Sequence, residues 1–320
     1  MSREERTLQG AADRRRVRLA DRGTVWLYQL ASWGASAVPT SLARPITEVG
    51  AVSWSRLRPE RRALVRRHLE RILSWKGLDR RVDLDALVDE AFRSYARYWL
   101  DALSVGTLDV GSLDARFEVE GFEHIEQGRA LGRGVVLALP HLGGWDVGGA
   151  WLVHRGVPLT VVAEVLRPPE LFELFVELRR RLGMQVVPLG PTAMAALAEA
   201  LGRNDAVALV CDRDLSGDGV EVELFGEPTT LPPGPVLLTL RRGCPLLPVA
   251  IYASPDGRHR AVVRPPLPLQ RAGRLREDVR AGVQRLAAEL EMLIAEAPEQ
   301  WHVFQPNWPS ERAEALRLRR

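Results

Sequence analysis

The chain has 320 residues, 46% of them hydrophobic and 27% charged, a composition that excludes a disordered or fibrous protein and suits one large α/β domain or two smaller ones. Its net charge of +3 is unevenly placed, because residues 1–80 carry seventeen Arg/Lys against eight Asp/Glu and the remainder is net negative. Two cysteines, Cys211 and Cys244, lie far apart without CxxC spacing, which argues against a disulfide framework or a zinc site and for a reducing, cytosolic compartment.

In chain order, residues 1–23 read as a basic tail with no signal-peptide pattern, holding Arg14, Arg15, Arg16, Arg18 and Arg22. Residues 24–104 read as a helical, membrane-associating segment. Its first stretch, TVWLYQLASWGASAV, has about fifteen residues, short of the roughly twenty that span a bilayer. Trp26, Tyr28 and Trp33 are interfacial aromatics, and with the arginines before them they suit an anionic membrane surface. Pro39, Pro45 and Pro59 punctuate this part; RRALVRRHLERILSW and DLDALVDEAFRSYARYWLDAL then repeat apolar residues at helical spacing.

From Phe117 the period changes, and residues 105–320 read as an α/β core. VVLAL at 135, TVVAEV at 160, QVVPL at 185, AVALVC at 206, PLLPVAIY at 245 and RAVVRPPL at 260 predict strands. Between them PPELFELFVELRRRLG, TAMAALAEALG and GPVLLTLRRG predict helices that end at glycine, and Arg274–Ala297 predicts a closing amphipathic helix before WHVFQPNWP. Such alternation implies a central mixed, largely parallel sheet flanked by helices, with binding sites at the carboxyl ends of strands.

His141 stands at such an end, in VVLALPHLGGWD. A histidine just past a buried strand can face a cleft from a rigid support. Gly143 and Gly144 allow close approach of a substrate or another backbone. Asp146, in the first turn of the next helix, could accept the Nδ1 hydrogen of His141 and leave Nε2 free as a base, provided that His141 lies outside that helix. A second cluster, CDRDLSGDGVEVELFGEPTTLPPGP, puts Asp212, Arg213 and Asp214 directly after a strand, and the alternation of Glu221 and Glu223 with Val220, Val222 and Leu224 puts both glutamates on one strand face. Arg179, Arg180 and Arg181 crowd the end of a helix, where an inward-facing guanidinium could bind phosphate.

The ordered set FRSYARYWLDAL, GRGVVLALPHLGGWD, TVVAEVLRPPELFELF, LRRRLGMQVVPL, DRDLSGDGVEVELFGEPTTLPPGP and PEQWHVFQPNWP resembles the bacterial lysophospholipid-type acyltransferases, in the branch of lipid A lauroyl/myristoyl and phosphatidylinositol mannoside acyltransferases. The DRD reading at 212–214 resembles the mannoside enzymes more than the lipid A ones. The resemblance implies a glycerol-3-phosphate acyltransferase-like fold, acyl-CoA as co-substrate with no cofactor or metal, a membrane glycophospholipid acceptor and peripheral attachment to the cytoplasmic face of the cell membrane. It also implies a His-x4-Asp site: His141 as general base, Asp146 orienting it, and a downstream glutamate, Glu223 or its neighbour Glu221, assisting. Gly143, Gly144, Trp145, Arg180 or Arg179, Asp212 and Arg213 would bind substrate. A thioesterase is the competing enzyme, although the chain has no GxSxG elbow. A non-catalytic membrane adaptor is the other alternative, and nucleic-acid binding is disfavoured because the basic surplus sits in an apolar, aromatic region.

Overall fold

The computed structural model describes residues 40–78, 82–104 and 113–312. The basic tail and the aromatic stretch with Trp26, Tyr28 and Trp33 therefore lie outside the described residues. Among the described residues three helices come first: α1 (Thr40–Arg56), α2 (Pro59–Trp75) and α3 (Leu84–Ser104). Pro59 opens α2, where a missing N–H costs nothing, while Pro45 sits inside α1 rather than ending it. The buried faces of α2 and α3, with Val65, Leu69, Val88, Ala91 and Phe92, close a small core over Phe304. Among the described residues no helix is long and apolar enough to cross a membrane.

The remainder alternates as β1 (Phe117–Glu120), α4 (Phe122–Ala130), β2 (Val135–Leu139), α5 (Trp145–His154), β3 (Leu159–Ala163), α6 (Pro169–Arg181), β4 (Gln185–Pro188), α7 (Ala193–Gly202) and β5 (Ala206–Val210). It continues with β6 (Val220–Leu224), β7 (Glu227–Leu231), α8 (Gly234–Arg242), β8 (Leu246–Ala253), β9 (His259–Val263) and α9 (Leu275–Glu296). Seven strands form one sheet in the order β1-β9-β8-β2-β5-β3-β4, parallel except for the β8/β9 pair, as the alternation predicts. The carboxylate-bearing β6 stands apart from this sheet, in a two-stranded antiparallel hairpin with β7.

The central position of β2 explains its unbroken VVLAL run: both faces are covered, so all five residues are buried. Alternate side chains go to opposite cores. Val136 and Ala138 join Leu197, Val236, Leu246 and Leu290 on the face covered by α7, α8 and α9, whereas Val135, Leu137 and Leu139 join Val147, Trp151 and Ile251 beneath α5. Edge strands β1 and β4 are only half-buried. A sheet packed on both faces is a rigid platform, and its central strands β2 and β5 end side by side.

Candidate active site

The register of β2 and β5 builds the site. Leu139 pairs with Val210 at the ends of these parallel strands, and Cys211 donates its backbone N–H to the Leu139 carbonyl at 2.9 Å. Two residues further along each chain stand His141 and Asp212. His141 Nδ1 lies 2.5 Å from Asp212 Oδ1, and the His141 backbone N–H donates to Asp212 Oδ2 at 2.8 Å. That fixes the imidazole with Nδ1 on the carboxylate, and among the described residues no hydrogen bond engages Nε2. Asp212 is fully buried, whereas the His141 side chain keeps 22% of its surface exposed. Burial alone would raise the Asp212 carboxyl, but the charge and hydrogen bonds of His141, with the Trp301 indole N–H, hold it below the ordinary carboxylate range.

This corrects the expected pairing of His141 with Asp146. Gly144 caps α5 and Trp145 begins it, so Asp146 projects from the first helical turn toward α3 and α6. There it accepts the Tyr98 hydroxyl at 2.9 Å and a two-pronged bond from Arg179, Nε at 2.7 Å and a terminal nitrogen at 3.1 Å. Burial works against the charge on Arg179, but Asp146 more than compensates and raises the guanidinium above its ordinary value. Tyr98 is pushed well above the ordinary phenol value, first by burial and then by the Asp146 charge.

Arg179, not Arg180, faces the site. Phe172, Phe175 and Arg179 recur at three- and four-residue spacing on one side of α6 and line a cleft of about 330 Å³ together with His141, Trp145 and Arg213. Arg180 is on the outer side, 71% exposed and paired with Glu177. Apolar side chains such as Met194, Leu197 and Leu209 complete much of the cleft wall. A second, mostly apolar cavity of about 90 Å³ runs between α5 and the sheet, bounded by Trp145, Asp146 and Arg179 and by Leu137, Leu139 and Ile251.

Four other expectations fall away from the cleft. Gly143 and Gly144 make room for the protein itself: a Cβ on Gly143, which has φ +58°, would sit 2.0 Å from the Ile251 carbonyl oxygen, and one on Gly144 would strike the His259 ring. Their N–H groups are engaged by the Gln300 and Ile251 carbonyls and are not donors to a substrate. Glu221 and Glu223 are exposed on β6 and line a different groove with Glu277, Arg280 and Gln284 of α9, because β6 pairs with β7 in a separate hairpin that packs on α9.

The residues that sequence reasoning missed come from distant parts of the chain. Tyr98 holds Asp146 from α3; Trp301 donates its indole N–H to Asp212 Oδ2 at 2.6 Å, and Asn307 donates to the Asp212 carbonyl at 3.1 Å. Their aromatic and amide types suited a core as well as a site, and only the fold brings them here. Cys211 also lines the cleft, but burial, together with Asp212, pushes its thiol well above the ordinary value, so it offers no thiolate. His302 is buried and lowered to about 3, chiefly by burial and then by the charges of His141 and Arg97, so it is neutral at pH 7. Among the described residues no group of three or more His, Cys, Asp or Glu could hold a metal ion. The arrangement is an oriented imidazole and a guanidinium in the wall of a largely apolar cleft, suited to taking a proton from a hydroxyl beside a polarised carbonyl.

Comparison with known proteins shows the family of the chain. The model of the bacterial lipid A biosynthesis acyltransferase family matches residues 12–310. A phosphatidylinositol mannoside acyltransferase of Mycolicibacterium smegmatis is 37% identical over 287 residues, covering 88% of this chain and 90% of that protein. One of Mycobacterium tuberculosis is 35% identical over 301 residues, 92% of this chain and 91% of that protein. A lipid A biosynthesis acyltransferase of Haemophilus influenzae is 24% identical over 221 residues, 68% of this chain and 67% of that protein. The chain belongs to the bacterial lipid A biosynthesis acyltransferase family.

Proposed function

We propose that the protein transfers a fatty acyl group from acyl-CoA to a sugar hydroxyl of a phosphatidylinositol mannoside, at the cytoplasmic face of the cell membrane. The observation that carries the chemistry is His141, which lines the cleft while its Nδ1 is tied to Asp212. Nε2 takes the proton of the attacking hydroxyl while the sugar oxygen forms a bond to the thioester carbonyl carbon. The carbon–sulfur bond then breaks, and the imidazolium returns its proton to the departing CoA thiolate. Asp212 stabilises the imidazolium between these steps. Arg179, held by Asp146 at the cleft wall, faces the negative charge that develops on the carbonyl oxygen. The neutral Cys211 thiol favours direct transfer over an acyl-cysteine. In this reading the apolar cavity beneath α5 receives the acyl chain.

The acceptor assignment rests on the mannoside acyltransferase relatives, which cover nine-tenths of this chain. Membrane attachment is supported by α1, where Leu42, Ile46 and Val49 recur on one helical face with 62%, 72% and 67% exposure. Arg58 and Arg61 flank the half-exposed Trp54 beside it, as suits an anionic interface.

The test is incubation of the purified protein with radiolabelled palmitoyl-CoA and, separately, phosphatidylinositol mono- or dimannosides or a lipid A precursor. Label is expected in a mannoside, and His141→Ala is expected to remove about 10²- to 10⁴-fold of the rate while remaining folded. Label only in the lipid A precursor would overturn the acceptor; free fatty acid alone would make the protein a hydrolase.

A further inference from the structure

The carboxy-terminal coil behaves as an added strand on the loop that carries His141. Leu142 forms an antiparallel bridge with Trp301, the Gly143 N–H donates to the Gln300 carbonyl at 3.0 Å, and the His302 N–H donates to the His141 carbonyl at 2.7 Å. From the same coil the Trp301 indole and the Asn307 amide reach the side chain and the backbone of Asp212. The two halves of the proposed catalytic pair come from different strand ends, and this coil touches both.

Its own anchorage is equally specific. His68 of α2 holds the Val303 carbonyl through Nδ1 at 3.0 Å and the Glu311 carboxylate through Nε2 at 3.0 Å. Arg71 donates to Glu311 at 3.0 Å while its guanidinium lies 3.8 Å over the Trp308 ring. Trp301, Asn307 and Trp308 are all buried, so the donors cannot swing to solvent.

We propose that residues 300–308 form a strap that positions the His141–Asp212 pair, with Trp301 as its principal positioning residue. The proposal rests on His141 acting as the base. Trp301 occupies Asp212 Oδ2 together with the His141 backbone N–H, which commits that oxygen and presents Oδ1 to the imidazole. Without the indole N–H the carboxylate has one donor fewer and becomes more basic. Still facing the ring through Oδ1, it then holds the imidazolium proton more tightly. Around the pair and Trp301 stand Cys211 just past β5 and His302 on the strap, both neutral near pH 7, with the charges of Arg179 and Arg213 in the same cleft wall, Arg97 acting on His302, and His68 of α2 packed against the Trp301 ring.

The test is Trp301→Phe in the full chain, which removes the N–H and retains an aromatic ring, alongside replacement of Trp301 by its benzothiophene analogue, which keeps the bicycle and removes the N–H alone. Expected are a roughly five- to twentyfold fall in kcat, KM for the acyl donor held within about twofold, and an upward shift of about half a pH unit in the acid limb of the kcat/KM profile. The downfield Nδ1–H resonance of His141 is expected to move or broaden in both proteins. That resonance needs no turnover, so it tests the strap even if His141→Ala shows that the proposed base is wrong. If the analogue leaves the acid limb and the resonance where they are in the unaltered protein, Trp301 is a packing residue and the proposal fails, whether or not kcat falls. If Trp301→Phe does not fold, the analogue alone decides.

Discussion

Asp146 and Asp212 are both buried aspartates beside the same cleft, and they serve different partners. Asp146, five residues from His141 in sequence, holds Arg179 and Tyr98; Asp212, seventy-one residues away, holds His141. The difference is one of support. Asp146 lies in the first turn of a helix and points where that turn directs it, whereas Asp212 stands two residues past a strand that is in register with the strand ending two residues before His141. Closeness along the chain sets a spacing, and closeness across the sheet sets the pairing.

The largest effect is expected at Asp212. Asp212→Asn keeps the size of the side chain but removes the charge opposite the imidazolium, and kcat for acyl transfer is expected to fall about 10²- to 10⁴-fold with little change in KM. Asp146→Asn is expected to cost roughly tenfold in kcat/KM through a less well-held Arg179. It should also cost about 1–3 kcal/mol of stability in denaturant titration, because a buried guanidinium loses its counter-charge. Equal losses of kcat in the two variants would erase the distinction drawn here.

Glu311, lowered to about 2, is opposed by burial and held down by His68, the backbone N–H of Asn307 and Arg71. Since its folded value lies below its unfolded one, its contribution is complete above the ordinary carboxylate range and is lost as pH falls toward 2. Glu311→Gln is therefore expected to cost about 2 kcal/mol at pH 7 and progressively less below pH 4.5, checked by urea unfolding across that range. The smallest effect is expected at the β6 hairpin, where Glu223→Gln should leave kcat and KM within about twofold.

Much of the scaffold was legible from local pattern. The strand runs at 135, 206 and 245 and the closing helix appear where apolar period and glycine stops put them, because each forms from residues adjacent in sequence. His141 was legible for the same reason: it ends a run that only a doubly covered strand would tolerate. Its partner was not, since strand order and register are properties of pairs of segments. Arg179 could have been separated from Arg180 by its helical spacing from Phe172 and Phe175, a signal present in the sequence. Glu221 and Glu223 were correctly placed on one strand face, but nothing local says that this hairpin leaves the main sheet. Trp301 and Asn307 lie at the far end of the chain and meet Asp212 only through the folded coil.

Asp212 rather than Asp146 carries the Nδ1 proton contact of His141. The most direct test of that contact is NMR of protein with 15N-labelled histidine, comparing the His141 Nδ1–H resonance in the unaltered protein, Asp212→Asn and Asp146→Asn. The account predicts a downfield, exchange-protected resonance that survives Asp146→Asn and is lost in Asp212→Asn; survival in Asp212→Asn with loss in Asp146→Asn would contradict it.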